Sequence, residues 1–216
     1  MSGPASPLFG LRLRCRSVAL RSVREADLPH LAAILPHDYE LNPRAELLSG
    51  VDVQENRRRI LCQDYWRAMG TWSPSAWCLN FAVEYDGDVV GVQSLEANDF
   101  PTVRTVDSAS WLIQAVRGRG IGVAMRMAVL GLAFDHLNAW AAITSARTDN
   151  GPSLGVSRRI GYRDNGVSLN ASHDGVVELS HLRLTEQGWR ATGLGREVTV
   201  EGLAPCRPWF SATGTA

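Results

Sequence analysis

Apolar and polar positions along the chain follow two rhythms. Alternation over Val18–Val23 predicts a strand. So does the pattern over Trp77–Tyr85 and Val89–Leu95, joined as a hairpin by the turn pair Asp86-Gly87. Helical spacing is clearest after Gly120, where Ile121, Met125, Ala128 and Leu132 share one face of a helix predicted to run to Leu137. Two helices precede the hairpin. The first opens at Asp27, a capping residue with Pro29 in the first turn, and runs to about Leu35; the second covers Val53–Met69. Residues 36–52 read as loop. Arg104–Gln114 reads as one strand, Ala141–Ala146 as a short buried strand, and Val176–Leu184 as a late strand whose alternation slips midway. Between the last two, Asn150 or Ser153 caps a helix that ends near Gly161. The order β-α-α-β-β-β-α-β-α-β predicts a mixed α/β domain with hairpins, unlike a regular doubly wound sheet. Residues 1–17 are expected to form a loose segment before a domain spanning 18–185. Residues 186–216 form a tail without clear periodicity.

Composition narrows the class. With 216 residues, 45% of them apolar and 20% charged, the chain fits one soluble domain with a real core. Its 22 Lys and Arg balance 22 Asp and Glu, so no excess positive charge points to nucleic acid or to a membrane surface. The arginine clusters Arg12, Arg14, Arg16 and Arg57–Arg59 read as solvated faces. Cys15, Cys62, Cys78 and Cys206 form no C-x-x-C pair, so no metal is expected, and free thiols suit a cytoplasmic location. No apolar run reaches about 18 residues, and none follows the first arginines as in a signal peptide.

The stretch V-R-G-R-G-I-G, Val116–Gly122, places three glycines at every second position where a helix begins. The dinucleotide fingerprint needs G-x-G-x-x-G, and here the third glycine comes one position early; Asn138 and Ala139 stand where a ribose-binding acid would be. The triphosphate loop needs G-K-S/T, which is absent. What remains is a strand, a glycine-rich turn and a helix. That is either a tight structural turn or a phosphate site built from outward-facing amides at a helix N-terminus, with Arg117, Arg119 or Arg126 adding charge.

Arg117-Gly118-Arg119-Gly120-Ile121-Gly122 resembles the R/Q-x-x-G-x-G/A signature of the Gcn5-related N-acetyltransferases (GNAT). The likeness extends further. "LRSVREADLPHLAAIL", "DGDVVGVQSL", "SASWLI", "TDNGPSLGVSRRIGYRDNG" and "HDGVVELSHLRLT" resemble, in order, segments of the subgroup of ribosomal-protein N-terminal alanine acetyltransferases, over residues 18–185. The resemblance implies a GNAT fold, with a mixed, mostly antiparallel sheet of about seven strands and about four helices. It implies direct transfer of an acyl group, acetyl or succinyl, from acyl-coenzyme A to an amine in a ternary complex. The alternative is a catalytically silent coenzyme A-binding sensor or scaffold.

The resemblance also assigns roles. The backbone of Arg117–Gly122 would hold the pyrophosphate, and the strand near Leu112, Gln114 and Val116 would pair with the pantetheine arm. Asn150 would bind the coenzyme arm. Counting back five residues from Tyr162 reaches Ser157, so the tyrosine many members use as general acid is absent, and Tyr162 itself is expected in the core. Ser153, three residues after the asparagine, would stabilise the leaving thiolate. Glu178 is the expected base, with Asp107, Glu96 and His181 as alternatives. Pro36–Trp77, with Tyr39, Tyr65, Trp66, Trp72, Trp77 and Arg57–Arg59, would wall the acceptor side, its aromatics forming a substrate groove or a homo-oligomer contact. An arginine facing the thioester would favour succinyl-coenzyme A as donor. The acceptor amine, whether on a protein N-terminus, a lysine, a polyamine or an antibiotic, is left open.

Overall fold

The computed structural model describes residues 6–210 other than 41, 43, 44, 173 and 174. Residues 1–5 and 211–216, the outer parts of the two expected flanking segments, lie outside the described residues. In chain order the elements are β1 (Arg12–Cys15), β2 (Val18–Ser22), α1 (Leu28–Ile34), α2 (Val53–Gly70), β3 (Trp77–Tyr85), β4 (Asp88–Ala97), α3 (Phe100–Val103), β5 (Thr105–Asp107), β6 (Ser110–Leu112), α4 (Ile121–Gly131), β7 (Ala141–Arg147), α5 (Gly151–Ile160), β8 (Arg163–Ser172), β9 (Gly175–Thr185), α6 (Glu186–Thr192) and β10 (Val198–Glu201).

The strands form one twisted sheet in the order β10-β1-β2-β3-β4-β5-β7-β9-β8, with β6 also paired to β4. Its pairings among the described residues are antiparallel except β5 with β7. Its ten strands exceed the expected seven or so. The additions are β1 and β10 at one edge and β8 at the other.

Two of these additions correct the reading of the chain ends. Leu8, Leu11 and Leu13 are fully buried, and Ser6 caps a short 3-10 turn over Pro7–Gly10. The chain before Val18 therefore packs as core and sheet edge. β10 pairs with β1 residue by residue from Arg12↔Glu201 to Cys15↔Val198, so the tail completes the same edge.

The expected strand Arg104–Gln114 is broken in two. The Ser108 amide donates to Asp107 Oδ1 at 2.6 Å, a local side-chain bond that takes the chain out of its ladder. Pairing with β4 resumes when Ser94 N–H meets the Ala109 carbonyl at 2.8 Å. Beyond Leu112 the chain turns as a 3-10 helix over Gln114–Val116 instead of continuing extended. α4 is buried on all sides, as a sequence apolar but for Arg126 requires. Its last turn widens into a π-turn over Leu132–His136.

α1 and α2 cover the face of the sheet that carries Ala82, Val92 and Trp111; α4 and α5 cover the other. An ion pair fixes α1 to the sheet. Arg21 on β2 donates to both Asp27 oxygens at 2.7 and 2.8 Å, and the Arg24 amide donates to Asp27 at 2.7 Å. Burial alone would raise the Asp27 carboxyl, but these bonds hold it below its ordinary value. A depressed carboxyl stabilises the fold above its unfolded pKa, near 4, and that support is lost as pH falls below it. In thermal melts between pH 6 and pH 2.5, Asp27→Asn is expected to cost about 1 kcal/mol at neutral pH. Its deficit should close below pH 4. A deficit that stays constant with pH would contradict the assignment.

Candidate active site

β5 and β7 run parallel and paired from Thr105↔Ala141 to Asp107↔Ile143. There they part: β6 stays with β4, and β7 continues with β9 alone. The result is a wedge-shaped gap between β6 and Thr144–Arg147. In the antiparallel pairing of β6 with β4, Ala109 and Ile113 bond to β4, at Ser94 and Val90. Alternation then turns the backbone groups of Ser110 and Leu112 into the gap. The Leu112 carbonyl is taken by Arg117 Nε at 2.9 Å. Of the residues expected to form this edge, Leu112 does so. Gln114 and Val116 do not, because both lie in the 3-10 turn and Val116 is buried in the core. Ser110, which the sequence reading passed over, takes the next edge position.

The glycine turn lies at the end of this edge. Gly118 and Gly120 have φ of 77° and 83°, a backbone that favours glycine. A Cβ on either would meet nothing within 4 Å, so conformation rather than crowding requires them. Gly122 differs: its Cβ would lie 3.3 Å from Val156 Cγ2, where α4 packs on α5. The Arg117 amide bonds back to the Gln114 carbonyl, and those of Val123 and Ala124 to that of Gly120. Among the described residues no acceptor appears for the amides of residues 118–122. They sit at the positive end of an 11-residue helix, where the local field favours negative charge.

The three arginines near this turn separate into different jobs. Arg117 grips Asp38 with both terminal nitrogens, at 2.5 and 2.9 Å, so its side chain is already committed to the loop between α1 and α2. Arg119 is exposed and makes no hydrogen bond within the described residues. Arg126 lies inward: it is 4% exposed, and it reaches Thr144 Oγ1 at 3.3 Å and Ser110 Oγ at 3.5 Å. It therefore spans both walls of the gap from beneath, with its Nε buried and unbonded. Arg57, Arg58 and Arg59 face elsewhere. Arg57 binds the Pro36 and Tyr39 carbonyls, Arg58 binds Glu55, and Arg59 binds Gln63 and the Glu46 carbonyl.

α5 begins beside the far wall. Asn150 is its cap, accepting the Ser153 amide at 3.1 Å. That leaves the Ser153 hydroxyl free of capping duty, in the first turn of the helix packed on α4. Ser157 is buried and donates to the Ser153 carbonyl at 3.4 Å. Tyr162 is buried, as expected, with its hydroxyl toward Ser108 and Arg126, and burial pushes that hydroxyl up.

On the opposite face, between α1, α2 and the sheet, is a small, partly open cavity. Leu28, Leu31, Leu61, Tyr65 and Trp111 form its apolar walls, and Asn80, Ser94, Ala109 and Ser110 its floor. Tyr39 and Tyr65 of the aromatic segment line it. Trp72 and Trp77 do not: they stack on each other at 6.0 Å and pack on Phe210 in the core. Trp66 is exposed and donates to Glu25.

Glu178 is not on the acceptor face. Leu182 and Leu184 pack in the α4-side core, so even positions of β9 face that side, and Glu178 lies exposed on it. His181 has the opposite parity and faces the acceptor side, hydrogen-bonded to Ser168 Oγ at 2.7 Å.

The acetyltransferase (GNAT) domain family model matches residues 17–163. Among solved structures, RimJ of Mycobacterium smegmatis in complex with CoA-disulfide is 20% identical with a TM-score of 0.64, covering 87% of this chain and 96% of that one. RimL, a ribosomal alpha-N-protein acetyltransferase in complex with coenzyme A, is 17% identical with a TM-score of 0.61, covering 78% of this chain and 94% of that one. A chimera of the spermidine N-acetyltransferase SpeG from Vibrio cholerae is 12% identical with a TM-score of 0.62, covering 82% of this chain and 99% of that one.

Proposed function

We propose, on the premise that the chain belongs to the acetyltransferase (GNAT) family, that it moves an acetyl or succinyl group from acyl-coenzyme A to an amine by direct attack. The observation that carries this reading is the gap between β6 and β7, with the unbonded amides of residues 118–122 at its end. The pyrophosphate would rest on those amides, with the exposed Arg119 beside them, and the pantetheine arm would lie along Ser110 and Leu112 beside Asn150. The amine nitrogen enters from the acceptor cavity and forms a bond to the thioester carbonyl carbon. The C–S bond breaks, the thiolate leaves toward the Ser153 hydroxyl, and the nitrogen gives up a proton. Ser153 would stabilise the thiolate by hydrogen bonding, since a free serine is a poor acid.

Arg126 supports succinyl as the donor acyl group. Arg126 lies beneath both walls of the gap, where a donor carboxylate could meet its unbonded Nε. Calorimetric titration with coenzyme A, acetyl-coenzyme A and succinyl-coenzyme A, followed by amine-dependent thiol release, tests the function and the donor together. Succinyl-coenzyme A is expected to bind tightest. Arg126→Gln should cut its advantage over acetyl-coenzyme A by about tenfold to a hundredfold, the worth of one charged hydrogen bond. An unchanged ratio returns the donor to acetyl; no binding of any of the three refutes the coenzyme site.

A further inference from the structure

Transfer to an amine needs a group that takes the proton from the attacking nitrogen, and Glu178 stands on the wrong face. We infer that Asp107 is that base and that Glu96 is its positioning partner, the two acting as a carboxylate pair at the apex of the gap. This rests on the acyltransfer reading above.

The geometry comes from strand parity. On β4, Val92 faces α1 and α2 while Leu95 and Ala97 face α4, so Glu96 shares the acceptor side with Val92 and Ser94. Asp107 is directly opposite Glu96 across the β4–β5 ladder, and residues opposite each other share a face. Asp107 is also the last residue of the β5–β7 pairing, so it lies where the strands part. One step along the same face are Ser94 and Ala109, on the floor of the acceptor cavity. An amine on that floor and a thioester in the gap meet at Ala109–Ser110, and Asp107 is the carboxylate nearest that point along the strand. Asp64 on α2 also lines the cavity, but it is already bound to Arg67 and Asn42.

The surroundings fit the task. Burial pushes the Asp107 carboxyl up to about 6, opposed by the Ser108 amide; Glu96 raises it further, while Arg126 and His181 lower it. Those groups approach from β4, α4 and β9, and the Tyr162 hydroxyl approaches from the end of α5. A carboxylate near 6 is charged at neutral pH yet a better proton acceptor than an ordinary aspartate.

The test follows thiol release from acetyl-coenzyme A, with an alanine-initiated hexapeptide and spermidine as amine probes, from pH 5 to 9. Below the pKa of the peptide amine, near 8, log kcat/KM should fall with a slope of one, because only neutral amine attacks. Below about pH 6 the slope should steepen to two in the wild type. Asp107→Asn should lower kcat about a hundredfold or more, keep a slope of one throughout, and leave coenzyme A affinity within about threefold. Glu96→Gln should move the break down by about half a unit, and His181→Asn should move it up by a similar amount, opposite shifts that a purely structural role would not produce. Carbon-13 NMR of the free protein should show one carboxyl titrating near 6 that is missing in Asp107→Asn. Wild-type turnover with an unaltered Asp107→Asn profile overturns the base and leaves the transferase standing. Coenzyme binding with no turnover of either amine overturns the transferase reading, and the base with it.

Discussion

A chain stopped after Thr185 is expected not to fold. The segment beyond it has no readable rhythm, yet it closes the core. Trp189 is 1% exposed, stacks on Phe134 at 5.9 Å and donates to Asp135 at 3.0 Å. Phe210 is fully buried, edge-on to Trp77 at 4.9 Å and to Trp72 at 5.5 Å. Leu203 and Cys206 fill the space beside Leu8 and Leu11, and β10 pairs the outer edge of β1. Removing either large ring alone, as Trp189→Ala or Phe210→Ala, should cost about 3–5 kcal/mol. A domain holds about 5–15 kcal/mol in all, so losing both rings, Leu203 and a strand exceeds the margin. Urea unfolding of the two single variants and the solubility and circular dichroism of the truncated chain check this. A cooperative melt of the 1–185 chain near the wild-type temperature would show that the domain ends where its periodicity does.

What the sequence disclosed, and what it hid, follows from where each segment lies. The β3–β4 hairpin was legible because apolar residues recur along two runs of strand length and Asp86-Gly87 marks the turn between them. α4 was legible by its spacing, although burial on every side makes the face it shows less distinctive than its length. β8 escaped because nearly all of it is exposed, so no apolar alternation marks it. β1 and β10 are four residues each, too short to show a period, and β10 pairs only with a strand at the other end of the chain. Among site residues, the glycine turn was legible because positive φ constrains residue type directly. Arg126 was recognised as an arginine near that turn but given to phosphate. Its position on the buried helix, six residues beyond Gly120, directs it to the apex instead. Glu178 failed on parity. Val177 and Leu179 looked like the buried face of β9, but both are only half-buried, and the core is set by Leu182 and Leu184.

The glycine turn carries the other large effect. Gly118→Ala with Gly120→Ala should weaken coenzyme A binding by at least about a hundredfold while the protein stays folded. Both positions have room for a methyl group, so the cost to the fold is only that of left-handed backbone, about 1–2 kcal/mol each. The chain can escape that cost by turning the residues to negative φ, but the amides of residues 118–122 then no longer converge. Losing two charge-assisted amide bonds to a diphosphate costs about 3–6 kcal/mol, and the fold change follows. Gly122→Ala is the matched control. Its methyl would press on Val156 at 3.3 Å, so it should lower the melting temperature and leave affinity within a few-fold. A second control isolates the phosphate: acetyl-pantetheine lacks the pyrophosphate, so its kcat/KM should be the same in wild type and double variant. If calorimetry shows full coenzyme A affinity in the double variant, the turn is only a turn. If acetyl-pantetheine turnover falls in parallel, the damage lies in the gap between β6 and β7 and not in the anion site at its end.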